Sequence, residues 1–291
     1  MKQIVVISGK GGTGKTVMSA CFAALSRNSV LADVDVDASN LHLLLHPEIR
    51  ERHVFKSGLK ARVNLAKCTA CGVCLPLCRF EALVEDSDGK ARVNPLSCEG
   101  CGVCFHVCPV QAVELETPVS GEWYVSETKY GPLVHARLGI AEENSGKLVT
   151  EVRKKVREIA ERERRDLVIM DGSPGIGCPV IASLTGTDLA FVVTEPTPSG
   201  LHDMERIIQL AHHFKIRTAC CINKHDLNLE NSGRIENWCD ARSIPVLGEV
   251  PFEVDIPKSV VRGIPYVEYA ENPGTQEIRK IWRSLLDLLS S

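Results

Sequence analysis

"GKGGTGKT", residues 9–16, is the stretch on which the fold turns. It satisfies G-x-x-x-x-G-K-S/T, and its flanks matter as much as the match. "QIVVIS" (3–8) before it is a short, β-branched apolar run, and "TVMSACFAALS" (16–26) after it has helical character. Strand, glycine loop and helix in that order make a phosphate cradle, because loop N–H groups converge at a helix N-terminus, where anions are favoured. The pattern assigns Gly9, Lys10, Gly11, Gly12, Thr13 and Gly14 to the cradle, with Lys15 reaching the β/γ-phosphates and Thr16 holding Mg2+. A glycine-rich turn with no ligand is the bland alternative, and the correct flanking elements weigh against it.

Working outward, "SVLADV" (29–34), "DLVIMD" (166–171), "DLAFVVT" (188–194) and "IRTACCIN" (216–223) read as buried strands. Helical stretches separate them. "SGKLVTEVRKKVREIAERER" (145–164) sets Leu148, Val149, Val152, Val156, Ile159 and Ala160 at helical spacing, and "LHDMERIIQLAHHF" (201–214) is a second such stretch. Alternating strands and helices predict an α/β fold, a P-loop NTPase with a mostly parallel sheet covered by helices on both faces. Residues 61–117 break this rhythm with short strands, turns and two cysteine blocks. The expected organisation is a discontinuous ATPase domain (1–60 and 118–291) interrupted by a small α+β domain of bacterial-ferredoxin type (61–117).

At 291 residues and 44% hydrophobic, the chain can bury one large core or two unequal ones. A net charge of −3 gives no global reason to expect nucleic acid or a membrane as partner, and 5% aromatics argues against a base-stacking surface. No run of about 18 apolar residues could span a bilayer, and "MKQIVVISGKGG" enters the loop directly rather than forming a signal peptide. A soluble, cytoplasmic protein is therefore expected. In a reducing compartment its thirteen cysteines point to metal or redox chemistry before disulfides.

Eight of those cysteines form a repeat: Cys68-x2-Cys71-x2-Cys74-x3-Cys78 and Cys98-x2-Cys101-x2-Cys104-x3-Cys108-Pro109. This is the spacing of bacterial ferredoxins with two 4Fe–4S clusters, in which the fourth cysteine of each run serves the other cluster. The expected ligand sets are Cys68, Cys71, Cys74 and Cys108 for one cluster, and Cys98, Cys101, Cys104 and Cys78 for the other. Gly72 and Gly102 remove bulk where each loop bends, and Arg79 stands where a ferredoxin has proline. Zinc is the main competitor, but structural zinc sites use two separated cysteine pairs rather than runs of three plus a fourth.

The second loop lysine, Lys10, sharpens the picture. K-G-G-x-G-K-S/T resembles the altered phosphate loop of the MinD/ParA/Mrp/nitrogenase-iron-protein group of P-loop ATPases. The resemblance implies that Lys10 crosses to the nucleotide of the other subunit in a dimer, as an arginine finger does. It also implies that Asp35 in "ADVDVD" (32–37) orients the attacking water, with Asp33 near the Mg2+ shell. The nearby Asp37 leaves that assignment two residues uncertain. "LVIMDGSPGIG" (167–177) is similar to the Walker B strand and switch II, placing Asp171 on a Mg2+-bound water. "INKHD" (222–226) matches the N-K-x-D with which GTPases read guanine. The resemblance instead implies adenine, with Asn223 and Lys224 contacting the nucleotide. The whole chain, including "GEWYVSETKYGPLVHARL" (121–138) and "EPTPSGLHDMER" (195–206), resembles MinD-superfamily ATPases with an inserted ferredoxin domain.

That resemblance implies ATP, Mg2+ and two 4Fe–4S clusters as cofactors, and a homodimer or a heterodimer with a paralogue. It also implies a partner in redox chemistry or cofactor assembly. The favoured function is ATP-gated electron delivery in metallocofactor or iron–sulfur assembly, by a slow, partner-stimulated ATPase. The alternatives are a cluster carrier or scaffold, and a ParA-like positioning ATPase with structural clusters. Cys178, seven residues after Asp171, could carry a bridging cluster, but a packed thiol is the simpler expectation. "QEIRKIWRSLLDLLSS" (276–291) has one apolar face, expected to pack on the sheet rather than to anchor in a membrane.

Overall fold

Two left-handed glycines shape the start of the chain. Gly12 and Gly14 hold φ at 82° and 93°, conformations that cost glycine little. They let the backbone leave β1 (Lys2–Ser8), wrap the loop and enter α1 (Lys15–Leu25). The structure, a computed structural model, describes residues 1–139, 142 and 144–290.

From α1 the chain forms β2 (Ser29–Asp33), α2 (Leu41–Leu45), β3 (Glu48–Lys56), β4 (Lys60–Val63), β5 (Leu83–Glu85), β6 (Ala91–Val93), α3 (Val103–Val107), β7 (Val113–Glu116), β8 (Val119–Thr128) and β9 (Gly131–Leu138). Then follow α4 (Ser145–Glu163), β10 (Leu167–Pro174), α5 (Cys178–Leu184), β11 (Leu189–Thr194), α6 (Pro198–His213), β12 (Arg217–Asn223), α7 (Leu229–Asp240), β13 (Val246–Val250), α8 (Asp255–Arg262), α9 (Tyr266–Tyr269) and α10 (Pro273–Ser290).

The main sheet runs β13-β12-β11-β1-β10-β2-β9-β8-β3. Its strands from β13 through β9 pair in parallel, so the expected α/β architecture is present. Parallel strands are covered on both faces, which explains why Ile4, Val5, Val6 and Ile7 are all fully buried in succession. Helix α1 adds Met18 and Phe22 to this core, and α10 adds Ile278, Ile281, Trp282, Leu285 and Leu289. Trp282 stacks on Phe22 with ring centres 5.1 Å apart, so the apolar face of α10 packs into the core. Among the described residues, no helix is long and apolar enough to cross a membrane.

The chain divides into two units. The first takes in Met1–His53, Trp123–Arg137 and Ser145–Ser291; the second takes in Val54–Glu122 and Leu138–Asn144. In the second unit β4 pairs antiparallel with β7, and β5 with β6. Shifting by thirty residues carries β4 onto β6 and β5 onto β7, so each strand pair takes one member from each repeat. The turns repeat as well: left-handed φ values recur at Ala70 and Gly100, Gly72 and Gly102, and Glu81 and Gln111. Asn64 N–H donates to Ala112 O at 2.7 Å, and thirty residues on Asn94 N–H donates to Ala82 O at 2.7 Å.

Candidate functional site

The parallel sheet brings the aspartates together. Strands β2 and β10 are neighbours with Asp33 opposite Asp171, and Lys15 begins the helix that follows β1, on the other side of β10. Lys15 Nζ lies 3.2 Å from Asp35 Oδ2 and 3.1 Å from Asp171 Oδ1. Thr16 Oγ1 donates to Asp171 Oδ2 at 2.7 Å, and Ser19 Oγ donates to Asp171 Oδ1 at 2.8 Å. Burial penalises the Lys15 charge, yet Asp171, Asp35 and Asp33 outweigh it and raise the lysine pKa. Burial raises the pKa of Asp35 against the pull of Lys15. Buried completely and facing Asp171, Asp33 is also raised.

Asp33 is engaged elsewhere. Its Oδ2 accepts from Ser39 Oγ at 2.7 Å and Leu41 N at 3.0 Å, and its Oδ1 accepts from Asp35 N at 3.1 Å. It thereby ties the segment carrying Asp35 to the end of β2 and the start of α2. Asp37 is exposed, so of the two aspartates it is Asp35 that meets Lys15.

Lys10 does not join this cluster. Its Nζ pairs with Glu195 Oε1 at 2.6 Å and donates to Thr197 Oγ1 and Ser199 Oγ, both at 3.2 Å. Glu195 also receives Lys224 Nζ at 3.1 Å, and Lys224 reaches Gly12 O at 3.3 Å. Burial would raise the Glu195 pKa, but hydrogen bonds from Lys10 and Lys224 bring it below the ordinary value. Asn223 Nδ2 donates to Thr13 O at 2.7 Å. A Cβ on Gly14 would press against that amide, which fixes glycine there on steric as well as conformational grounds. Asp226, the last residue of the N-K-x-D match, accepts from Phe252 N at 2.6 Å and so holds the next segment in place.

Of these residues Lys15, Thr16, Asp35, Asn223 and Lys224 line a cleft of about 680 Å³ together with the rest of Gly11–Val17, and Phe252, Ile256, Pro257, Val260 and Val261 form its other wall. That volume suits a nucleotide-sized ligand. The apolar wall had no counterpart in the sequence reading; its one signal is Val260-Val261 in a polar helix, Val261 being 87% exposed. Glu195 and Ser19 were also missed. Cys178 starts α5, is exposed, and sits against Gly146 of α4.

In the second unit the cysteines gather into two cavities. One is lined by Cys68, Cys71, Cys74 and Cys108, with Val63, Ala91 and Ala112 behind them. The other is lined by Cys98, Cys101, Cys104 and Cys78, with Ala61, Ala82 and Val93. Ala112 N–H donates to Cys108 Sγ at 3.2 Å, and Ala61 N–H to Cys98 Sγ at 3.4 Å. Burial opposes ionisation of Cys108, yet the N–H groups of Ala112, Val110, Val113 and Gln111 hold its thiol below the ordinary value. Burial raises Cys74 and Cys104. Among the described residues, none of the thirteen cysteines forms a disulfide.

Residues 4–266 match the CobQ/CobB/MinD/ParA nucleotide binding domain family, and the chain belongs to it. This is a family of P-loop ATPases, which implies ATP and Mg2+ as ligands. A protein of Methanocaldococcus jannaschii, described as uncharacterized, is 30% identical over 292 residues, spanning 99% of this chain and 97% of that one. An iron-sulfur cluster carrier protein of Pyrococcus furiosus is 25% identical over 158 residues, 50% of this chain and 53% of that one. The solved structure of the septum site-determining protein MinD from Pyrococcus horikoshii, complexed with Mg-ADP, superposes with a TM-score of 0.60. That match covers 98% of this chain and 95% of that one at 18% identity, a likeness of fold.

Proposed function

We propose that this ATPase is an iron–sulfur protein that binds and hydrolyses ATP to gate electron delivery during assembly of a metallocofactor or iron–sulfur cluster. One observation carries the reading: eight cysteines line two cavities in fours, each set borrowing its fourth thiol from the other repeat. The donor chemistry fits, since thiolates are the ligands of 4Fe–4S clusters and N–H groups aimed at sulfur tune them. Runs of three cysteines plus a fourth suit a multi-atom cluster better than zinc, whose structural sites use two separated cysteine pairs. Once bound, the clusters supply one-electron transfer; the chain's part is to hold them and to time their use.

The nucleotide groups supply the timing. With ATP present Lys15 would leave Asp35 and Asp171 for phosphate and Thr16 would hold Mg2+. That would free Asp35 to orient the attacking water and Asp171 to serve the Mg2+ shell, with Asp33 beside it holding the segment that carries Asp35. Lys10 leaves Glu195 for the nucleotide of a partner subunit, so that ATP closes a homodimer or a heterodimer with a paralogue. Asn223, Lys224 and the apolar wall from Phe252 to Val261 receive the base. Closure then biases a two-state switch.

The test is the ATP dependence of electron transfer from the reduced protein to an acceptor. Iron and acid-labile sulfide should each be about eight per chain, and Lys15→Ala should abolish ATP binding while leaving the visible cluster spectrum intact. Transfer at the same rate with and without ATP would sink the gating. Stoichiometric zinc without sulfide would sink the clusters. Similarity to an iron-sulfur cluster carrier protein favours a second reading, a carrier that hands its clusters to an apo-acceptor. Loss of cluster from this chain during turnover would mark that case.

A further inference from the structure

Asp171 is fully buried and accepts from three side chains: Lys15 and Ser19 at Oδ1 (3.1 and 2.8 Å) and Thr16 at Oδ2 (2.7 Å). In a phosphate loop two of those donors have another task, since the lysine goes to phosphate and the threonine hydroxyl to magnesium. Ser19 has none. It lies one turn further along α1, is 1% exposed, and its hydroxyl also lies 3.1 Å from Lys15 O. Lys15 and Thr16 line the nucleotide cleft; Ser19 does not.

We propose that Ser19 is a positioning residue for magnesium: of the three donors it alone keeps Asp171 when nucleotide binds, fixing Oδ1 so that Oδ2 faces the metal. The inference rests on the reading that Asp171 serves Mg2+. Without the Ser19 hydroxyl, Asp171 is still satisfied in the free protein, by Lys15 and Thr16. In the loaded protein its Oδ1 becomes a buried acceptor with no donor, a costly state. The penalty thus falls on the nucleotide-loaded protein rather than the free one, and most heavily where Asp171 must also serve magnesium.

Ser19→Ala separates these cases, with a fluorescent ATP analogue as probe and Mg2+ titrated at fixed protein. The variant should need roughly tenfold more Mg2+ for half-maximal binding. Its affinity for the analogue should fall less in EDTA than in Mg2+, and its thermal midpoint without nucleotide should stay near that of the parent. An unchanged Mg2+ midpoint would overturn the proposal, as would equal weakening with and without Mg2+, which would mark Ser19 as a general support of α1. Asp171→Asn in the same titration tells the two failures apart. If it does not raise the Mg2+ requirement, the magnesium role of Asp171 fails; if it does and Ser19→Ala is silent, only the role of Ser19 fails.

Discussion

Glu195 holds two lysines at once, and both point at the phosphate loop's business. Lys10 is the cation we propose for the nucleotide of a partner subunit, and Lys224 touches the backbone of Gly12. The ion pairs are partly shielded, with Lys10 and Glu195 side chains 29% and 17% exposed, so they exceed the near-zero worth of fully exposed pairs. Glu195→Gln keeps the shape and removes the charge that restrains Lys10. Its expected effect is ATP-dependent dimerisation at about fivefold lower protein concentration, read by sedimentation velocity across a dilution series. An unchanged midpoint would mean that Glu195 does not restrain the lysine. No spacing rule joins residue 195 to residue 10, so this contact was not legible in the sequence. It arises because β11 lies beside β1 in the sheet, which sets the loops after both strands side by side. Lys15 and Thr16 were legible because a single loop carries them with the helix that follows.

At the scale of elements, the sheet extends beyond the strands that periodicity revealed. Strands β8 and β9 were unmarked because "GEWYVSETKYGPLVHARL" mixes aromatic, polar and charged residues without a clean period of two. Strand β9 sits against β2, with His135 opposite Asp33. His135 is buried, 3.0 Å from Ser126 Oγ of β8 and stacked against Tyr124 and against His42 of α2. Burial, with His42 nearby, lowers its pKa to about 4. A histidine held neutral in the fold but free to protonate when unfolded near pH 6.5 contributes stability that is intact above that pH. The contribution is lost as pH falls from about 6.5 to about 4, by up to about 3 kcal/mol. His135→Gln keeps a partner for Ser126 and cannot titrate. Thermal midpoints between pH 7.5 and 4.5 should therefore fall more steeply for the parent than for the variant, and parallel curves would exclude His135 as the source.

Across the whole molecule, the two units differ in what can hold them together. The first has a continuous core from Ile4 to Leu289. In the second, the buried hydrophobic residues among those described are Phe55, Ala61, Ala82, Ala91, Ala112 and Val113. One phenylalanine, four alanines and a valine bury too little surface to offset chain entropy, and units this small rely on staples. The cysteine spacing showed which staple to expect; the exchange of strands between repeats, which sets both cavities between halves, was not readable from it. If the clusters take the place of a core, removing iron should unfold the second unit and leave the first intact. Anaerobic chelation with a chaotrope, followed by its removal, should give protein that proteases cut within residues 57–117 while ATP binding persists. Cluster-loaded protein should resist the same digestion. A second unit that stays protected without iron would show that its backbone pairing suffices, and the clusters would then be passengers. Loss of ATP binding along with iron would show instead that the nucleotide fold depends on the cysteine unit, contrary to the separate cores.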